Sequence, residues 1–263
     1  MERREFLAGS VAAMTAAAAG QANAETRNSN GKAREYYQFR RFHLQSGPQV
    51  KLTDTFVAEA LIPALNRMGI GPVGVMNVTF GPDTPTLVVL MPSTDVEKLV
   101  TVDLLLARDE EFMQKAAPFW AAPATAPSFL RVESSLHLAF EGWPKMTPPD
   151  PKQKRIFQLR RYESPSYAAH VRKVEMFHHG EFEIFQASGF GQVLYSDSLV
   201  GTNLPNLTYM LTFEDMAHLD SCWNTFRTAP EWKKLSGSER YAYEAIVSNI
   251  TNLVLTPTSY SQI

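Results

Sequence analysis

The chain has 263 residues, enough for two domains of about 100–120 residues each. It is 44% hydrophobic and 20% charged, the composition of a globular protein with a proper core. A formal net charge of −2 gives no electrostatic basis for binding nucleic acid or an anionic membrane, so neither is expected as a partner.

The first segment reads as an export signal. Glu2-Arg3-Arg4-Glu5-Phe6-Leu7 is a charged stretch, Val11 to Gly20 is an alanine-rich apolar run, and Ala22-Asn23-Ala24 offers small residues where a signal peptidase reads them. The paired arginines followed by Phe6-Leu7 resemble the twin-arginine export address. Residues 1–24 are therefore expected to be a signal peptide and the mature chain to start near Glu25, in the periplasm of a bacterium or secreted from it. The apolar run is too short to anchor, and no later stretch approaches about 18 apolar residues, so stable membrane insertion is not expected. A lone cysteine, Cys222, has no intrachain partner and reads as a buried structural residue.

The remainder is one unit used twice. At an offset of 120 residues, Gln38, Arg40 and Arg41 fall on Gln158, Arg160 and Arg161, Gly69 and Gly71 on Gly189 and Gly191, and Asp95, Leu99 and Glu111 on Asp215, Leu219 and Glu231. Each copy opens with an aromatic-rich strand, Tyr36 to His43 and Ile156 to Tyr162. A long helical stretch follows, Lys51 to Met68 and Tyr167 to Ala187, closed by Gly69 and Gly189, where a helix end wants positive φ. Next come two strands joined by hairpin chemistry, Val73 to Phe80 with Thr86 to Met91, and Gln192 to Val200 with Leu207 to Phe213. A second helix starts near Asp95 and Asp215, and last strands lie near Arg131 to Phe140 and Val247 to Leu255.

The order β-α-β-β-α-β predicts an α+β protein of two tandem ferredoxin-like domains, over 34–142 and 155–263. Residues 143–154, with Pro144, Pro148, Pro149 and Pro151, form a stiff linker. A ferredoxin-like sheet leaves one face bare. Two copies in one chain can cover each other, so a barrel-like pair within the chain is expected.

In the second half, Leu207-Thr208-Tyr209-Met210-Leu211-Thr212-Phe213-Glu214-Asp215-Met216-Ala217 and Ala229-Pro230-Glu231-Trp232-Lys233-Lys234-Leu235 resemble the NIPSNAP family, as does the opening strand Phe157-Gln158-Leu159-Arg160-Arg161-Tyr162. The first half shares this mainly through the repeat, having Leu87-Val88-Val89-Leu90-Met91 in place of the first string. The resemblance implies a dimeric α/β-barrel fold. It implies little chemistry, because that superfamily holds cofactor-free oxygenases, isomerases and haem-binding enzymes.

Strand alternation divides the opening strands into two faces. Placing Phe39, Phe157 and Leu159 under the helices sends Gln38, Arg40, Gln158, Arg160 and Tyr162 into the barrel. There the arginines either form internal ion pairs, with Asp197 or Glu133, or line a pocket for an anion or carbonyl group. No spacing of histidines or cysteines makes a metal site, and no nucleotide-binding or nucleophile-elbow motif occurs. No cofactor is expected, with a haem held by one lone histidine left open. The expected function is binding of a small apolar or anionic ligand, or of a protein partner, through the barrel. The alternative is a cofactor-free or haem-dependent oxygenase or isomerase. The oligomeric state, including a further homo-oligomer, is left open.

Overall fold

The computed structural model describes residues 33–263, so the expected export signal lies outside the described residues. The first half runs β1 (Tyr36–His43), α1 (Pro48–Phe56), a π-helical turn (Val57–Leu61), α2 (Ile62–Arg67), β2 (Gly74–Phe80), β3 (Thr86–Ser93), α3 (Val96–Val100), α4 (Val102–Leu106), α5 (Glu110–Trp120) and β4 (Arg131–Ala139). The second runs β5 (Ile156–Glu163), α6 (Tyr167–Met176), a π-helical turn (Phe177–Glu181), α7 (Phe182–Ala187), β6 (Gly191–Val200), β7 (Asn206–Phe213), α8 (Met216–Thr228), α9 (Pro230–Ser236), a 3₁₀ turn, α10 (Tyr243–Ile246) and β8 (Asn249–Pro257). The 120-residue offset holds to the residue for β1 and β5, for the two π-helical turns, and for β3 and β7. Asp95 and Asp215 cap the helices they precede, accepting from the Lys98 and His218 amides at 3.2 and 3.0 Å. Gly69 and Gly189, with φ of 73° and 85°, end the long helices.

The eight strands close one barrel in the order β1-β3-β2-β8-β5-β7-β6-β4. Each half supplies four neighbouring strands. Two antiparallel seams join the halves, β2 with β8 and β4 with β6. Closure removes every free sheet edge and gives the bare faces of both sheets a common interior. That interior is apolar, with Tyr37, Phe39, Val88 and Leu90 meeting Phe157, Leu159, Met210 and Leu253. Met146, from the proline-rich segment, and Ile263 close one end. The proline-rich segment is tied to that end: the Met146 and Thr147 amides donate to Glu35 and to the Val193 carbonyl, each at 2.8 Å. The helices cover the outside, over one core per half.

The expected strand faces are inverted. Phe39, Phe157 and Leu159 point into the barrel, whereas Phe42 and Tyr162 pack into the helix-covered cores. Gln38, Arg40, Gln158, Arg160 and Tyr162 therefore lie between sheet and helices, not in the barrel. Alternation separates the two sets of side chains without saying which set is inside. An eight-stranded barrel is just wide enough for its side chains to fill, so rings take the centre. The longer polar side chains go to the layer from which they can reach solvent. The next residues, Arg41 and Arg161, do face the interior, at the end opposite Met146, where they line a cavity.

Candidate functional site

Position by position, the two helix–sheet layers treat their arginines differently. In the first half, the Arg40 guanidinium makes a two-pronged ion pair with Asp103 of α4, at 2.7 and 3.0 Å. Gln38 donates to Ser134 Oγ at 3.1 Å. The carboxylates expected as partners are engaged elsewhere, Asp197 with His170 at 2.9 Å and Glu133 with His43 at 3.3 Å.

In the second half, the position equivalent to Asp103 is Trp223 of α8. The Arg160 guanidinium carbon lies 4.3 Å from the centroid of that indole, 5.3 Å from the Tyr162 ring and 5.9 Å from the Tyr209 ring. Arg160 Nη2 donates to the Tyr162 hydroxyl at 3.0 Å, and the Tyr209 hydroxyl donates to the same oxygen at 2.8 Å. Gln158 orients the platform, accepting from Trp223 Nε1 at 2.8 Å and donating to Asn252 at 3.4 Å. Among the described residues Arg160 has no carboxylate within ion-pair distance, and its Nε is buried without a partner. Burial works against its charge. The Tyr209 and Tyr162 oxygens outweigh that and hold the guanidinium firmly protonated.

Below this cluster lies a second charged pair. Lys173 Nζ of α6 donates to Glu181 Oε2 at 2.6 Å, with the two residues 2% and 1% exposed. The ammonium also lies 4.5 Å from the Phe177 ring centroid and 5.2 Å from that of Tyr162. The π-helical turn sets the approach, because Gly180 takes φ of 129° and breaks the helical path just before Glu181. Burial pushes the Glu181 carboxyl upward, with Lys173 and, after it, Arg160 pulling the other way. Burial likewise lifts the Tyr195 and Tyr209 hydroxyls well above the ordinary tyrosine range.

The structure thus gathers Gln158, Arg160 and Tyr162 and leaves Gln38 and Arg40 in a separate layer. Sequence reading missed Lys173, Glu181 and Tyr209, and took Trp223 only as core. A usable signal was present. Their repeat equivalents are Thr53, Leu61, Val89 and Asp103, so charged or hydroxyl groups at 181 and 209 replace aliphatic ones, a lysine replaces a threonine, and an indole replaces a carboxylate. Cys222 is buried, and burial raises its thiol, which suits a structural residue. A haem does not fit this layer. Phe177, Phe185, Tyr195 and Tyr209 fill it in mutual ring contact, with centroids 5.4–6.3 Å apart. His178 is taken by the Val174 carbonyl and the Gly142 amide at 2.9 and 3.0 Å.

Solved structures share this fold. A candidate monooxygenase from Fusobacterium nucleatum superimposes with a TM-score of 0.55 at 10% identity, over 86% of this chain and 93% of its own. A candidate chlorite dismutase gives 0.50 at 10% identity, over 87% and 96%. A NIPSNAP-like domain protein from Burkholderia xenovorans is 18% identical over 41% of this chain and 90% of its own, with a TM-score of 0.37. No curated protein matches the sequence. Residues 157–262, which hold every member of the Arg160 cluster, match the NIPSNAP family model.

Proposed function

We propose that the second half binds a small aromatic ligand carrying an anionic oxygen, against Arg160, and that the protein does this outside the cytoplasm after twin-arginine export. One observation carries the binding reading. The position that supplies the Arg40 counter-ion supplies, in the second copy, the face of Trp223. Arg160 is held charged, flanked by rings and half-buried, with no carboxylate within ion-pair distance among the described residues. Such an arginine favours an anionic oxygen, and the surrounding rings favour a flat apolar body. The first copy keeps the same fold without Lys173, Glu181 or Tyr209, so the fold does not require them.

The test is a thermal-shift titration of the purified protein with aromatic carboxylates and phenolates. Stabilisation that vanishes in Arg160→Met, while Arg40→Met keeps it, supports the reading. Identical responses from both variants sink it.

A second reading, cofactor-free oxygenase or isomerase chemistry in the same layer, rests on Glu181. Its raised carboxyl and the paired Tyr162 and Tyr209 hydroxyls form a set able to hold and pass a proton. The neighbours' names agree with this reading but share only the fold. Turnover of an aromatic ligand, lost in Glu181→Gln with binding retained, would favour it over binding alone.

A further inference from the structure

The arginines on the opposite face of the opening strands, Arg41 and Arg161, come one from each half to the open end of the barrel. They line a cavity of about 50 Å³ floored by Phe39 and Leu159, with Ser135 and Thr208 on its walls. That is room for about three or four water-sized groups.

The groups around this cavity leave a deficit of negative charge at its centre. Glu133 lies on the rim but is bound outward, to His43 at 3.3 Å and Arg131 at 3.2 Å. Glu163 is shared among Arg161 at 3.4 Å, Asn203 at 2.9 Å and Asn249 at 3.2 Å. Arg161 also donates to Thr251 at 3.2 Å, yet its Nε is buried without a partner. Arg41 has no hydrogen bond or ion pair to any described residue. Burial lowers its pKa first, and the neighbouring Arg161 lowers it further, against a smaller pull from Glu133. His137 adds no charge: burial holds its pKa near about 3, and its nitrogens are taken by Ser135 at 2.8 Å and Ser198 at 3.0 Å. The Arg41 charge, unpaired among the described residues and set beside Arg161 in a half-enclosed space, is costly to keep unless an anion joins it.

We infer that the open end of the barrel binds a small carboxylate between Arg41 of the first half and Arg161 of the second. The planar fork of a guanidinium matches a carboxylate in shape, and the enclosed part of the cavity suits a small one such as acetate. Wall hydroxyls complete its hydrogen bonding. This site is separate from the Arg160 layer, being on the other face of β5, and neither depends on the other.

The full chain is titrated with acetate, and in a second arm with phosphate, against chloride at matched ionic strength. At about ten times its Kd, acetate should raise Tm by roughly 3 °C. Arg41→Met and Arg161→Met should each lose that rise, and Arg160→Met should keep it. Without ligand, Arg41→Met should melt at or above the wild-type temperature, since it removes an unpaired charge. Equal responses to acetate and chloride overturn the inference, as does a response confined to phosphate, or one that survives in Arg41→Met. A ligand-free Arg41→Met that melts more than about 3 °C lower also overturns it, because Arg41 would then be structural. If Arg41→Met fails to fold, Arg41→Lys decides. Keeping the charge but not the fork should weaken acetate at least tenfold, and unchanged affinity overturns the inference.

Discussion

The two halves form an internal comparison in which the fold is constant and the buried polar groups differ. Arg40 ends in an ion pair with Asp103, whose side chain is 57% exposed. Arg160, its counterpart, ends against aromatic rings beside a buried Lys173–Glu181 pair. Thr53 and Leu61 fill the same two positions in the first half and are equally buried. The first half shows that this helix–sheet layer packs well with apolar residues. A buried ion pair is costly to desolvate and often no better for stability than an apolar replacement. The second half therefore carries groups whose presence packing alone does not explain.

The comparison breaks most completely if the halves are separated. Residues 154–263 expressed alone should aggregate or dimerise, because β6 and β8 lose their partners β4 and β2 and the barrel interior opens to water. Sedimentation that shows a soluble, folded monomer would mean that each half is self-sufficient.

The buried pair gives the next largest effect. Lys173→Thr or Glu181→Leu alone strands one buried charge and should cost about 3–5 kcal/mol. The double variant Lys173→Thr/Glu181→Leu installs the first half's residues and should recover most of that loss. Denaturant melts of the three variants measure it. Additive losses in the double variant would show that the surroundings of the pair are not interchangeable between halves.

His137 supplies a pH dependence. Its folded pKa, about 3, lies below the ordinary histidine value near 6.5, so the unfolded chain binds the proton more readily. The contribution is full above about pH 6.5 and is lost as pH falls from there toward 3, on the order of a few kcal/mol. His137→Gln should flatten the decline in stability between pH 6.5 and pH 4. An unchanged slope would assign that decline to other groups.

The smallest effect sharpens the comparison between the arginines themselves. Arg40→Met removes an ion pair whose acid is mostly solvated and should cost at most about 1 kcal/mol. Arg160→Met removes a guanidinium with ring and hydroxyl contacts but no carboxylate, and should also leave the ligand-free melt close to wild type. Only the second should abolish the response to aromatic anions. Outside this comparison, Arg3→Lys with Arg4→Lys should hold the precursor in the cytoplasm. Secretion of the lysine form would remove the twin-arginine route.

The fold was legible in the sequence because repetition is a strong signal. Glycines and aspartates at matching turns and caps, together with the order of elements, imply two copies, and two bare sheet faces imply that the copies meet. The face of each strand was not legible, because in Phe157-Gln158-Leu159-Arg160-Arg161-Tyr162 each alternating set carries one arginine and at least one ring, Phe157, Leu159 and Arg161 against Gln158, Arg160 and Tyr162. Deciding which set goes inside needs the width of the closed barrel, which no single strand carries. The candidate site was half legible. Arg160, Gln158 and Tyr162 were found through the repeated strand. Lys173 and Glu181 were missed because a helical pattern read for its apolar residues hides charges on the same face, and a π-helical turn shifts that face partway along.

The seam between β2 and β8 constrains how the molecule is made. Its strands are separated by most of the chain, with Asn77 opposite Thr256. During synthesis the first four strands are complete long before β8 emerges, so β2 waits with one row of amides and carbonyls unmatched. An edge left open in this way invites pairing with a neighbouring nascent chain. Closure also brings together segments distant in sequence, which slows folding. This architecture thus places its greatest risk of misassembly at the ribosome, where a chaperone that shields β2 until the last strand arrives would have the largest effect on yield.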